Sequence, residues 1–156
     1  MARKFARNAF VGRARALTQL KRYAEAVQDW DRVIELDDSE EKTAWRVERA
    51  VTLIRSGDYA RGVAEANALA AEKAVTGDML YNAACVMSIG SSVVKQDAKL
   101  QEQYAVRAVE LLTLAKGQGF FKDAHNVEQM NKDGDLDPLR QREDYKKLLA
   151  ELEAKK

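Results

Sequence analysis

Leu20-Lys21-Arg22-Tyr23-Ala24-Glu25-Ala26-Val27-Gln28-Asp29-Trp30-Asp31-Arg32-Val33-Ile34-Glu35-Leu36-Asp37 carries its apolar residues at helical spacing: Ala26, Val27, Trp30, Val33 and Ile34 fall on one face. A second stretch, Ser56-Gly57-Asp58-Tyr59-Ala60-Arg61-Gly62-Val63-Ala64-Glu65-Ala66-Asn67-Ala68-Leu69, repeats its layout. Tyr23 and Tyr59 lie 36 residues apart, each opening a helix after a short turn. Each is followed three residues on by a small residue, Ala26 or Gly62. Self-similarity at this period predicts stacked helix pairs, since one pair cannot bury its apolar face alone and stacking makes a continuous core.

Outward from this stretch the composition agrees. The chain has 156 residues, 46% of them hydrophobic and 33% charged, which fits a folded, charge-rich helical protein and argues against disorder. The only proline is Pro138, so helices run uninterrupted through most of the length. The only cysteine, Cys85, excludes an internal disulfide and a multi-cysteine metal site, and is compatible with a reducing cytoplasmic setting. No apolar run has the length of a membrane span, about 18–20 residues. The net charge of +1 excludes a whole-domain nucleic-acid footprint. Charge is nonetheless uneven. Arg3, Lys4, Arg7, Arg13, Arg15, Lys21 and Arg22 precede any acid, whereas residues 25–41 carry Glu25, Asp29, Asp31, Glu35, Asp37, Asp38, Glu40 and Glu41 against Arg32. Such a basic, acid-poor start is also the mark of an organelle transit peptide. The same residues complete a repeat, however, which favours a basic helix lying against an acidic one.

These features resemble the tetratricopeptide repeat (TPR), a helix–turn–helix of about 34 residues. In the first repeat Phe10, Ala14, Leu17, Tyr23, Ala26, Trp30 and Val33 fall in the family's order, with Asp38 where proline is usual. Ala50, Leu53, Gly57, Tyr59, Gly62, Ala66 and Leu69 match in the second, with Trp45 one residue out of place. Tyr81, Ala84, Cys85, Ala108, Leu112 and Ala115 match in the third, which carries an insertion over Gly90 to about Lys99. The resemblance implies an all-α, TPR-like right-handed superhelix of antiparallel helix pairs over residues 1–117 (pairs 7–40, 43–76 and 78–117). Residues 118–156 would then form a short helix, a turn and a C-terminal capping helix. Within such a core, leucine at Ala50 or Ala108 should overpack and cost roughly 1–3 kcal/mol.

A narrower resemblance rests on Leu80-Tyr81-Asn82-Ala83-Ala84-Cys85, on Tyr104-Ala105-Val106-Arg107-Ala108-Val109-Glu110-Leu111-Leu112 and on Asp135-Leu136-Asp137-Pro138-Leu139-Arg140. Together they look like the C-terminal repeat region of large bacterial serine/threonine protein kinases of the planctomycete type. No Gly-rich loop on a strand, His-Arg-Asp loop or Asp-Phe-Gly is present. The implied role is regulatory or substrate-recruiting rather than catalytic.

TPR geometry puts the first helix of each pair on a concave face. It implies a protein-binding groove lined by Asn8, Val11, Arg15, Thr18 and Gln19, by Val47, Glu48, Val51 and Arg55, and by Asn82, Val86 and Ile89. Asparagine and arginine there suit the backbone and carboxylates of an extended peptide, though the same residues also fit ordinary exposed helix positions. The lysines of the family's carboxylate clamp are missing, which disfavours chaperone tails. A short groove implies micromolar affinity. The alternative is a homo-oligomerisation module associating through Trp45 or Phe120-Phe121.

Signals for chemistry are weak, so the expectation is a non-enzymatic module without cofactor or metal ion. A cysteine–histidine dyad would need both Cys85 and His125, and Cys85 occupies a small buried repeat position. Asp133, Asp135 and Asp137 begin like a calcium loop, but Pro138 and Asp144 stand where glycine and a bidentate glutamate are needed. Gly117-Gln118-Gly119 has no preceding strand and no following Gly-Lys-Ser/Thr, so it reads as a helix end with a glycine at positive φ.

Overall fold

A computed structural model describes residues 1–154. Among these residues the chain is all-helical, with eight α-helices, two 3-10 helices and no strand. It divides into two compact units, Met1–Glu65 and Ala66–Lys156, with the boundary inside the fourth helix.

Unit 1 holds α1 (Ala2–Gln19), α2 (Tyr23–Leu36), α3 (Lys42–Ser56) and the first half of α4 (Tyr59–Ala70). Helices α1 and α2 pack as neighbours, as do α2 and α3. Val11, Ala14, Trp30 and Val33 form a buried cluster, with Phe10 and Trp45 packed against it. The rings of Trp30 and Trp45 stack with centroids 6.0 Å apart. Small residues set the closest approaches. Ala14, Ala26 and Ala50 are fully buried, and a Cβ on Gly62 would meet the Ile54 side chain at 2.8 Å and the Ala50 carbonyl oxygen at 2.9 Å. The glycine therefore lets α4 lie directly on α3.

The first helices of the two pairs end in the same device. Arg22 N–H donates to the Leu17 carbonyl (2.8 Å) and Asp58 N–H to the Leu53 carbonyl (3.0 Å). Both are the long bond of a Schellman motif, which needs a left-handed residue just past the helix. Gly57 provides it in α3 at φ 92°. In α1 it falls to Lys21 at φ 58°, the only non-glycine with positive φ among the described residues. The sequence similarity of Lys21-Arg22-Tyr23 to Gly57-Asp58-Tyr59 is thus a similarity of backbone.

Charge joins the unit-1 helices as the uneven distribution implied. Arg13 grips Asp29 with two hydrogen bonds from α1 to α2. Arg3 donates to the carbonyls of Glu35 and Leu36, satisfying the end of α2 with a cation. Arg49 reaches both Asp31 and Glu65. Asp37 is the tightest junction. Its buried carboxylate accepts from Arg7 (2.8 Å), the Trp45 indole (2.7 Å) and both the backbone N–H and hydroxyl of Ser39. One side chain ties α1, the end of α2 and α3 together.

Unit 2 contains α5 (Gly77–Val93), α6 (Ala98–Gly117), a 3-10 helix η1 (Phe120–Lys122), α7 (Ala124–Lys132), a second 3-10 helix η2 (Gly134–Leu139) and α8 (Glu143–Glu153). Thr76 and Asp97 cap α5 and α6 by accepting from the N–H groups of Met79 and Leu100. The expected insertion over Gly90–Lys99 is not a loop inserted between helices of repeat length. It lengthens α5 to 17 residues and α6 to 20, leaving only a short connection. From Met79 to Ser91 every residue of α5 except Asn82 is buried, so this helix is apolar all round and central to its unit. Val106, placed on the apolar stripe of α6 by its spacing, is 36% exposed, while Val109 and Leu112 are buried.

The tail folds back on α5. Leu136 and Leu139 are fully buried, and η2 packs against α5. At about 2 kcal/mol per fully buried leucine, these two side chains account for much of the docking. Asn131 and Lys132 belong to α7, so the turn is shorter than the Asn131–Asp135 cluster implied. Gly119 ends α6 at φ 81°, the positive value expected of that glycine pair. Tyr145, Leu148 and Leu152 are the buried face of α8, and Arg142 grips Glu102 of α6 with two bonds.

Candidate functional site

The expected site residues divide between the two units. On α1, positions 8, 11, 15 and 19 lie on one arc, as do 47, 51 and 55 on α3. These two helices are brought side by side: Arg7 approaches Glu41 at 3.4 Å and Arg15 approaches Glu48 at 3.9 Å. In both pairs the partners stand about one repeat length, some 34 residues, apart in the chain, so α1 and α3 run in the same direction. The Arg15 guanidinium also lies over the Trp45 ring, 5.6 Å from its centroid.

The resulting face is polar at its edges and apolar in its floor. Asn8, Arg15, Gln19, Glu48 and Arg55 are exposed, while Thr18, Val47 and Val51 are half-buried. Val11 is buried at 8% exposure and belongs to the core cluster with Ala14 and Trp30. It supports the face rather than presenting a surface. The Arg15–Glu48 contact joins two side chains more than 45% exposed, so it is worth well under about 1 kcal/mol and yields readily to a ligand. Repeat spacing leaves Trp45 one residue out of place. Its indole instead holds Arg15 from below while donating to Asp37.

The α5 positions are different. Val86 is fully buried and Ile89 is 8% exposed, so both serve packing. Asn82 is half-buried and donates to Asp78 one turn earlier in its own helix. The burial has a physical cause that composition alone does not reveal: α5 is packed by α6 on one side and by the returning tail on another. The oligomerisation residues are also engaged within the chain. Trp45 stacks on Trp30, and Phe120 and Phe121 pack with Tyr81 at centroid separations of 5.1 and 6.3 Å.

A second polar cluster lies in unit 2. The Asp133 carboxylate accepts from the Tyr81 hydroxyl at 2.7 Å and lies 3.8 Å from the Cys85 sulfur. Its other oxygen accepts from Asp135 N–H. Burial, then the nearby carboxylates of Asp133 and Asp135, push the Cys85 thiol far up, so it stays protonated at neutral pH. His125 is exposed at the start of α7. A buried, protonated thiol of this kind is a poor nucleophile. Tyr81 and Asp133 lie far apart in the chain, and no sequence signal announces their contact. No protein-family model, curated protein or solved structure matches the chain.

Proposed function

We propose that the chain is a TPR-like interaction module that binds an extended peptide segment of a partner protein on the α1–α3 face of unit 1. One observation carries this reading. The two helices lie parallel at repeat spacing and present exposed Asn8, Arg15, Gln19 and Arg55 around the half-buried Val47 and Val51. Amide and guanidinium groups around a shallow apolar floor suit a peptide backbone, its carboxylates and one apolar side chain. The module acts without catalysis or cofactor, in the cytoplasm. The resemblance of its α5, α6 and η2 sequences to the C-terminal repeats of planctomycete-type kinases would make it a recruiting segment for a larger enzyme.

The test is affinity capture from the source organism's lysate by the wild type, by Arg15→Glu/Arg55→Glu and by Lys95→Glu, all matched in helicity. A partner lost only with the first variant supports the face. Equal capture by all three sinks it. A self-association reading through other residues has one observation in its favour, the exposure of Phe5 (70%) on α1 and of Leu20 (67%) just past its end. It predicts a light-scattering mass that rises with concentration and falls on Phe5→Ser/Leu20→Ser.

A further inference from the structure

The charges on the α1–α3 face select a ligand class, a conclusion that rests on the proposed binding surface. Three cations stand there with donors left open. Arg15 comes within 3.9 Å of Glu48, beyond hydrogen-bond reach, and its guanidinium is held over the Trp45 ring. Arg55, in the last turn of α3, and Lys21, in the turn after α1, have side chains with no ion pair or hydrogen bond among the described residues. Lys21 and Arg55 line one cavity of about 270 Å³ together with Arg22 and Glu25, whose charges cancel through two mutual hydrogen bonds. Two positive charges there remain uncompensated. The two repeats differ at this point: Lys21-Arg22 occupies the turn position that Gly57-Asp58 holds after α3. A lysine at φ 58° stands in a backbone region that suits glycine, and it brings an ammonium that the second turn lacks.

Spacing narrows the ligand further. Arg55 lies two turns of α3 beyond Glu48, so it stands about 10.5 Å along the axis from the level at which Arg15 meets Glu48. A polyproline-type chain returns to the same face every three residues, a rise of about 9 Å. A β-strand returns every two, a rise of about 7 Å, which falls short. The geometry points to an acidic peptide bound in the polyproline conformation, with two side-chain carboxylates three residues apart. One carboxylate meets Arg15 and the other meets Arg55 and Lys21, and each guanidinium can take its carboxylate with paired bonds. Glu48 is loosely held by Arg15, so it yields that guanidinium to the ligand. Val51, half-buried between the two levels, offers the intervening residues an apolar floor.

The experiment is fluorescence polarisation of the full chain with labelled proline–alanine peptides bearing two glutamates two, three or four residues apart, and with glutamine in place of one or both. Acetylated and amidated ends exclude recognition of a terminal carboxylate. The three-residue spacing is expected to bind tightest and to weaken as salt rises. Glutamine at either place should lower affinity about threefold to fivefold, the range of exposed ion pairs. In Lys21→Gly/Arg55→Gln one glutamate loses its effect and the other keeps it, the signature of a specific pairing. Lys21→Gly alone supplies the residue that the backbone prefers, so a loss of binding in it does not come from unfolding. Equal affinity for every spacing, equal affinity for the glutamine peptide, or no binding of any of these peptides overturns the acidic-pair ligand. If lysate capture still depends on Arg15 and Arg55 in that event, the face stands as the binding surface without this ligand; if it does not, the surface falls as well.

Discussion

Removing the Asp37 carboxylate should unfasten unit 1. In Asp37→Ala the Arg7 guanidinium, itself only 9% exposed, loses its 2.8 Å partner. The Trp45 indole and the Ser39 N–H lose their acceptor as well. Breaking a buried ion pair by deleting one partner costs about 3–5 kcal/mol. Arg7 keeps Glu41 at 3.4 Å and the Asn8 side chain, which places the expected loss near the lower figure, about 3 kcal/mol. The effect has a pH signature. Burial opposes the Asp37 charge, but hydrogen bonds from Ser39, Arg7 and Trp45 outweigh it and hold the carboxyl down at about 2. A group depressed in this way stabilises the fold above its unfolded pKa, about 3.9, and loses that contribution as pH falls through the folded value. A shift of nearly two units gives about 2.5 kcal/mol by linkage. Screening in so small a unit trims it to about 1–2 kcal/mol. Both tryptophans of the chain, Trp30 and Trp45, lie in unit 1, so urea unfolding followed by tryptophan fluorescence reports this unit alone. The isosteric Asp37→Asn tests the charge separately: its deficit at pH 7 should shrink steadily between pH 4 and pH 2. A loss under 1 kcal/mol in Asp37→Ala at pH 7, or an Asp37→Asn deficit constant down to pH 2, would refute the reasoning.

Two further substitutions test the backbone reading in opposite directions. Lys21→Gly should stabilise unit 1 by about 0.5–1 kcal/mol in the same fluorescence assay, because glycine takes a left-handed φ without the Cβ clash; a loss would mean that the Lys21 side chain contributes something the φ angle does not show. Gly62→Ala gains about 1 kcal/mol of helix propensity but drives a methyl to within 2.9 Å of a backbone oxygen that cannot yield. A net loss of about 1–2 kcal/mol in the urea midpoint is expected, and a neutral or stabilising result would show that α3 and α4 are free to separate.

Much of unit 1 was legible in the residues themselves. Helical spacing around Trp30, small residues at Ala14, Ala26, Ala50 and Gly62, and the turn preceding each of Tyr23 and Tyr59 are local signals. Each constrains a helix face or a helix end regardless of what packs against it. The buried alanines and the Gly57 end of α3 follow from that local chemistry, whereas the left-handed Lys21 does not. Asn8, Arg15, Gln19 and Arg55 were likewise readable as exposed positions on two helices, because 3.6-residue periodicity alone sorts them from Leu17 and Ala50.

Other features depended on contacts between residues distant in sequence, which no local pattern encodes. Val86 looks like a groove residue until the packing of α5 by its unit makes it core. Asp37 reads as one acid among many until Arg7 and Trp45 converge on it from two other helices. Tyr81 and Cys85 lie far from Asp133 in the chain, and the docking of Leu136 and Leu139 onto α5 accompanies the meeting of their polar atoms. Periodicity determined which faces had to be buried. The tertiary structure decided what buried them, because that choice rests on which surfaces fit one another and on which buried polar groups find partners.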